Sequence, residues 1–138
     1  MIRFLKAHLS LFMRLSLAIC YVWFGALKFF PSFSPAESLA KGTINHLMFG
    51  ILPSNLTILL LAGWEVCIGI GLVLNFKPKI VIGSALVHMV FTFTPLFFFT
   101  EICFTNPPFG FSIVGQYIFK NLVFICALVY LYPDNKPK

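Results

Sequence analysis

Charged residues are scarce in this sequence of 138 residues. They make up 10% of the chain, and Asp and Glu together number four. Hydrophobic residues account for 59%, and the mean hydropathy is +0.95. A water-soluble domain with this composition would have too few polar groups to cover its surface. The composition therefore excludes a soluble protein and predicts an integral membrane protein that lies in the lipid bilayer.

The sequence also lacks the motifs of an autonomous catalyst. It contains no phosphate-binding loop, dinucleotide fingerprint, His-Glu-x-x-His motif or nucleophile elbow. The four cysteines occur singly, at Cys20, Cys67, Cys103 and Cys126. Of these, only Cys103 is expected in a loop. Without a C-x-x-C pair, a disulfide-exchange enzyme is disfavoured. A single predicted intramembrane His makes a weak metal or haem case, so we predict no metal site and no cofactor held by the chain alone.

Four long apolar runs dominate what the sequence does contain. They predict membrane-spanning helices at about 9–30, 56–74, 80–100 and 113–132, because a helix crosses a bilayer with about 20 apolar residues. Pro95 lacks a backbone donor and is expected to kink the third span near its end. Since the connections are short, the whole chain is predicted to form a single membrane domain. The predicted fold class is all-α, an integral membrane four-helix bundle.

A short helix is predicted between the first two spans. Ser34 is expected to cap it, with Pro35 at the first helical position and Glu37 completing a capping box. The residues from Glu37 to Phe49 mix apolar and polar side chains, which is typical of an amphipathic helix in the membrane interface. Ser34 and Glu37 are therefore given a structural role.

The distribution of Lys and Arg predicts the membrane topology. Seven of the ten cations fall on one side of the predicted bundle: Arg3, Lys6, Arg14, Lys77, Lys79, Lys136 and Lys138. By the positive-inside rule, both termini then face the cytoplasm, and the protein is a multi-pass protein of the cell (inner) membrane. Topology thus explains the net charge of +6, and no nucleic-acid partner is predicted.

Each predicted span carries one stripe of polar or small residues at helical spacing. The stripes are Arg14, Ala18, Tyr21, Gly25 and Lys28 in the first span, Ala62, Glu65 and Gly69 in the second, Ser84, His88 and Thr92 in the third, and Gln116, Tyr117, Lys120 and Asn121 in the fourth. Lipid cannot hydrogen-bond to these groups. We therefore expect all four stripes to turn inward and to build a polar centre, with the Phe-, Leu- and Ile-rich faces outward.

Glu65 is the most costly residue of the predicted spans. A carboxylate near the middle of a membrane helix is disfavoured by roughly 2.5 to 3.5 kcal/mol, so it needs a partner. Lys28 should lean into the membrane and is the first choice, although the two Cα atoms should differ in depth by roughly 10 Å. His88 is the alternative, and a Glu–His pair could relay a proton. Lys120 should lean toward the outer headgroups. A buried pair that only fixes helix register is the competing interpretation.

Several short motifs follow one another in a fixed order along the chain. They are Tyr21-Val22-Trp23-Phe24-Gly25-Ala26-Leu27-Lys28-Phe29, Ser34-Pro35-Ala36-Glu37, Gly63-Trp64-Glu65 with Ile68-Gly69-Ile70, His88-Met89 with Thr94-Pro95-Leu96, and Gly115-Gln116-Tyr117-Ile118 with Lys120-Asn121. In order and spacing these motifs resemble the DoxX-like family of small membrane proteins, over roughly Arg14 to Tyr132. The resemblance implies four membrane helices, with family motif positions at Lys28, Glu65 and Lys120. The resemblance also makes a quinone a candidate cofactor, because the founding member of the family is a small subunit of a thiosulfate:quinone oxidoreductase.

Three functions stay open on this basis. The first is a small accessory subunit of a larger membrane complex, respiratory or quinone-linked, whose partners are other membrane protein subunits or further copies of the chain. The second is a component of a quinone-linked oxidoreductase in which Glu65, Lys28 and His88 handle protons or orient a quinone head group. The third is a small-molecule carrier or binder that uses the polar centre. Whether the chain is an enzyme is left open, and a quinone is the one cofactor considered.

Overall fold

The computed structural model describes residues 2–30, 33 and 37–133. In chain order its elements are α1 (Ile2–Ala7), α2 (Leu9–Leu27), α3 (Glu37–Leu47), α4 (Ser54–Leu74), α5 (Pro78–Phe91), α6 (Pro95–Phe98), α7 (Thr100–Cys103), β1 (Phe104–Asn106), β2 (Gly110–Phe111), α8 (Ile113–Phe119) and α9 (Asn121–Leu131). The structure is mostly helical, as predicted. The short β1–β2 hairpin is an addition that the all-α prediction missed.

Four helical segments are long and apolar enough to cross a membrane, which confirms the predicted number of spans. They are Leu9–Leu27, Ser54–Leu74, Pro78–Phe98 and Ile113–Leu131. The third consists of α5 and α6, and the fourth consists of α8 and α9. The orientation of the termini and the assignment of the chain to one domain stay predictions.

The first two spans, α2 and α4, run antiparallel and pack through glycines. A Cβ atom added to Gly69 would lie 2.6 Å from Val22 Cγ2, and one added to Gly25 would lie 2.9 Å from the Cβ atom of Glu65. Helices that are not driven together by water approach closely where such small residues let their backbones meet. This close approach brings the backbone beside Glu65 against the first span.

The third span is interrupted near the position that the sequence predicts. Regular helix ends at Phe91, and a new short helix begins with Pro95 at its first position. Proline has no N–H group to donate to the preceding turn, so a helix restarts more easily there than it continues. The interruption leaves the side chain of Thr92 at the end of α5, where it contacts the fourth span.

The apolar core lies between the four spans, but they contribute to it unequally. Its buried members are Leu17, Ala18, Tyr21, Ile68, Leu72, Ile82, Ala85, Met89 and Leu128. Within the described part of the chain, the fourth span adds only the last of these residues to the buried core cluster. The fourth span therefore packs against the other three with a smaller part of its surface.

Helix α3 occupies the place predicted for the interfacial helix. It begins at Glu37, whose Oε1 atom accepts a hydrogen bond from Lys41 Nζ at 2.6 Å. Gly42 lies beside the Phe99 ring, and the His46 ring lies 4.5 Å from that of Phe98. The predicted cap, Ser34, lies outside the described residues. The position of α3 in the membrane interface stays a prediction.

The connection between the third and fourth spans contains α7, β1 and β2 and is more ordered than the sequence suggests. Cys103, expected in a loop, is instead the fully buried last residue of α7, and its Sγ atom lies 3.5 Å from the Pro95 carbonyl oxygen. Burial raises the pKa of this thiol. Ser112 then caps α8, because its hydroxyl oxygen accepts from the Gly115 N–H at 3.1 Å. The sequence missed this packing because it depends on contacts between distant residues.

Candidate functional site

The candidate site is built around Glu65, which is 6% exposed in the middle of α4. Its Oε2 atom accepts a hydrogen bond from Lys28 Nζ at 2.5 Å. Its Oε1 atom lies 3.1 Å from His88 Nε2. The two partners that the sequence offers as alternatives are therefore present together, one on each carboxylate oxygen.

Lys28 reaches Glu65 directly from the end of the first span. It is the C-terminal cap of α2, and its ammonium group also lies 3.3 Å from the Phe24 carbonyl oxygen one turn back. That backward lean is the direction expected of a helical side chain. Since Gly25 allows α2 and α4 to approach closely, the Lys28 ammonium reaches the Glu65 carboxylate directly. The Lys28 and Glu65 side chains are only 9% and 8% exposed.

His88 is enclosed by two aromatic residues from the other two helices of the site. Its Nδ1 atom lies 3.3 Å from the Tyr21 hydroxyl oxygen, and that hydroxyl also lies within donating distance, 3.1 Å, of the Ala85 carbonyl oxygen. The Trp64 ring stands perpendicular to the imidazole with a centroid distance of 5.2 Å. Trp64 is fixed in turn because its indole N–H donates to Ser84 Oγ at 2.7 Å.

Counting the protons of these groups shows what the centre can do chemically. The Glu65 carboxylate, ionised beside the Lys28 ammonium, offers only acceptor oxygens, so His88 must donate from Nε2. The Tyr21 hydroxyl has a single proton and two acceptors within reach, His88 Nδ1 and the Ala85 carbonyl. If His88 is neutral, the hydroxyl donates to Nδ1.

A second arrangement satisfies the same atoms with one more proton. If Nδ1 also carries a proton, it donates to the Tyr21 oxygen, and the hydroxyl proton turns to the Ala85 carbonyl. The change requires rotation of one O–H bond and no movement of a ring or a helix. The linked side chains of Tyr21, His88, Glu65 and Lys28 can therefore hold one exchangeable proton in a buried setting.

The fourth span does not take part in this centre, which corrects the prediction that all four polar stripes turn inward. Gln116, Tyr117 and Lys120 lie on the exposed surface, and Tyr117 is 66% exposed. Asn121 is the exception, since its Nδ2 atom donates to Thr92 Oγ1 at 2.9 Å. Glu65 takes both of its partners from α2 and α5.

Packing instead of polarity sets the rotation of the fourth span. Its buried positions are Gly115, Ile118 and Leu128. A side chain at position 115 would occupy the space of the Cys103 carbonyl oxygen. The face of the fourth span that carries Gly115 therefore packs against the end of α7. Lys120 then points outward, with its Nζ atom 5.0 Å from the centre of the Tyr117 ring. This lean toward the start of its helix is the predicted one.

Sequence reasoning left out one member of the site. The sequence marks Trp64 only as part of the Gly63-Trp64-Glu65 motif, yet its ring packs against one side of His88. A signal was available, because an indole N–H within a membrane span needs an acceptor, and Ser84 supplies it. In the part of the chain that the structure describes, no group of three or more His, Cys, Asp or Glu side chains could hold a metal ion.

Comparison with known proteins identifies one matching family. The family model described as DoxX matches residues 9–101, more than half of the chain. The match includes the first three spans and the four linked side chains Tyr21, Lys28, Glu65 and His88. It ends before the fourth span, although the motif resemblance extends to Tyr132. No curated protein and no solved structure gives a significant match to the chain.

Proposed function

This chain belongs to the DoxX family of membrane proteins, and on that premise we propose that it serves as a small accessory subunit of a larger membrane complex. The respiratory or quinone-linked nature of that complex is carried over from the motif resemblance. The membrane setting is supported by the four apolar helices. The proposal as a subunit rests on a single observation, the exposed cation of the fourth span.

Lys120 is exposed on the outer surface of a membrane-spanning segment. It lies seven residues after Ile113, the first residue of that segment, which places its Cα atom about 10 Å along the helix. A lysine that far into a membrane helix is disfavoured by up to roughly 3 kcal/mol unless it snorkels or finds a partner. Within the described residues, no carboxylate lies within ion-pair distance of Lys120. A neighbouring subunit would supply the carboxylate that the described part of the chain does not.

The packing of the fourth span supports the same proposal. In its most apolar stretch 17% of the residues are buried, compared with 39% in the second span. Large apolar side chains such as Ile113 and Val123 are 73% and 70% exposed on it. Lipid could cover these apolar groups, but it gives no specific partner to Gln116 or Lys120. The combination of apolar and polar surface is what an interface with another membrane helix requires.

The test is to recover the protein from its own membrane without stripping its neighbours. The tagged chain is extracted in polymer nanodiscs, and the mass and composition of the particle are measured. We expect a second polypeptide in fixed stoichiometry, and we expect Lys120→Met to release it. Lys77→Met serves as the matched control, because Lys77 is an exposed cation of the turn before α5. A particle with the chain and lipid alone contradicts the proposal.

A second candidate function is favoured by the linked side chains of the buried centre. Quinone chemistry couples electron transfer to proton transfer, and the Tyr21–His88–Glu65–Lys28 centre can hold one exchangeable proton. In this candidate the chain handles the proton in a quinone-linked oxidoreductase, and another subunit carries the electrons. Glu65→Gln should then lower quinone reduction by the membrane while the complex stays assembled. Unchanged quinone reduction with Glu65→Gln contradicts it.

A further inference from the structure

The Lys120 face, formed by Gln116, Tyr117 and Lys120, presents mainly hydrogen-bond donors. The Lys120 ammonium lies over the Tyr117 ring. One N–H of Gln116 is directed at the Phe111 carbonyl oxygen at 3.5 Å, which leaves its second N–H available. For the Tyr117 hydroxyl, no hydrogen-bond partner is found among residues 2–30, 33 and 37–133. A group that complements this face must accept hydrogen bonds and carry negative charge.

We infer that the Lys120 face binds a transmembrane helix of a different polypeptide, one that carries an Asp or Glu side chain at the depth of Lys120. The inference rests on the proposed function and names the chemistry of the partner. A carboxylate has two acceptor oxygens and can take the Lys120 ammonium on one and the Tyr117 hydroxyl or the Gln116 amide on the other. The pairing also neutralises a cation that lipid tails cannot solvate.

A second copy of the chain does not supply this carboxylate. The chain has four acidic residues. Glu65 is buried with Lys28, and Glu37 is paired with Lys41. Asp134 lies outside the described residues, and in the sequence it comes after the fourth span, whereas Lys120 lies in the first half of that span. Parallel copies that meet at this face would therefore set Lys120 against Lys120.

Glu101, the fourth acidic residue, lies at the wrong depth. It belongs to α7, and the end of α7 is tied to the start of the fourth span because Ser112 N–H donates to the Cys103 carbonyl at 2.9 Å. Lys120 follows Ser112 by eight positions, a distance of about 12 Å along the helix. Glu101 of a second copy would thus lie near the start of the span, well above the Lys120 face.

A lipid phosphate would reach the Lys120 ammonium group only by entering the apolar segment. The Lys120 side chain leans back to the level of Tyr117, which is four residues after Ile113, or about 6 Å inside the apolar segment. Phosphates lie at or beyond the start of that segment. A helix with its own carboxylate reaches this depth, and the exposed apolar side chains Ile113 and Val123 would pack against it.

The test uses defined peptides and needs no knowledge of the natural partner. The full chain is reconstituted in phosphatidylcholine vesicles with Leu-rich transmembrane peptides of about 20 residues. One peptide carries Glu about 10 Å from its end, and its match carries Gln. Association is measured by energy transfer. We expect the Glu peptide to bind about tenfold more tightly than the Gln peptide, as one ion pair in apolar surroundings implies.

Variants of the chain make the test specific to the Lys120 face. Lys120→Met should abolish the preference for the Glu peptide, and Lys120→Glu should create one for a Lys peptide. Lys77→Met should leave the preference unchanged. Circular dichroism confirms that each variant is folded. Equal binding of the Glu and Gln peptides to the unchanged chain would overturn the inference.

Two further outcomes would assign the face to another occupant. If phosphatidylglycerol in the vesicles removes the preference, the face binds an anionic lipid headgroup. If energy transfer between two labelled copies of the chain depends on Lys120, the face binds a second copy. Failure of the peptide test differs from failure of the proposed function, because a native complex recovered with Lys120→Met would preserve the subunit role and place its contact elsewhere.

Discussion

Lys28 donates to Glu65 across the interface of the first two spans, with 2.5 Å between Nζ and Oε2. The two side chains are almost fully buried, at 9% and 8% exposure. A buried pair of opposite charges gives less net stability than its short distance suggests, because both ions lose their hydration. Losing one member is different, since the other charge is then left buried without compensation.

This asymmetry predicts an unusual pattern of stability. Lys28→Met should lower the free energy of unfolding by about 3 to 5 kcal/mol, because the Glu65 carboxylate loses its cation. Adding Glu65→Gln to Lys28→Met should restore part of the loss, since the introduced amide is neutral and its oxygen can still accept from His88. Unfolding of the single and double variants in mixed micelles measures the two effects. A double variant as unstable as the sum of the two single changes contradicts the account.

The glycine contact between α2 and α4 gives a second prediction. Gly69→Ala should destabilise the fold by about 1 to 3 kcal/mol, because the added carbon would lie 2.6 Å from Val22 Cγ2 and 2.9 Å from the Val22 nitrogen. Gly63→Ala is a matched control on the same helix, since nothing lies within 4 Å of its new carbon. The same unfolding assay compares them. Equal stability of the two variants would show that the helices are not packed this closely.

The proton count at His88 predicts a specific spectrum. In nitrogen NMR of His-labelled protein, Nε2 of His88 should carry a proton whether or not the ring is charged, because it donates to Glu65. Tyr21→Phe should alter the Nδ1 signal and reduce stability by about 1 kcal/mol. Tyr130→Phe, at a position that is 59% exposed, should do neither. An unprotonated Nε2 in the unchanged protein would contradict the proposed arrangement.

The buried thiol of Cys103 can be compared with an exposed thiol introduced by Thr105→Cys. In a chain whose only cysteine is Cys103, maleimide labelling at neutral pH should be slow, because the thiol is buried and its raised pKa leaves little thiolate. The labelling rate should rise with pH and should continue to rise beyond the pH at which an ordinary thiol levels off, because the raised pKa delays full ionisation. A chain whose only cysteine comes from Thr105→Cys, at an exposed position, should react quickly. Equal rates for the two folded proteins would place Cys103 in an open loop.

The sequence predicts those features that depend on local properties of the chain. The four spans follow from the length and apolarity of each segment, and the interruption at Pro95 follows from its missing donor. The contacts of Glu65 with Lys28 and His88 could also be foreseen, because a carboxylate in a membrane span needs a partner.

Features set by packing between distant segments could not be predicted in this way. The polar stripe of the fourth span faces outward because Gly115 fits against the Cys103 carbonyl, a contact that helical spacing does not reveal. Cys103 is buried, and the β1–β2 hairpin forms, in the connection between the third and fourth spans, where this contact lies. Besides His88, the Tyr21 hydroxyl has the backbone carbonyl of Ala85 as an acceptor. Every residue has such a carbonyl, so the sequence could not single this one out.

The central claim, that this member of the DoxX family works as a subunit joined to a partner through its fourth span, is tested most directly by the mass of the native particle. The unchanged chain, Lys120→Met and Lys77→Met are each extracted from the native membrane in polymer nanodiscs, and the intact particles are weighed by native mass spectrometry. We predict one heavier particle with a second polypeptide for the unchanged chain and for Lys77→Met, and its loss for Lys120→Met. A particle that contains only this chain and lipid in all three cases would contradict the account.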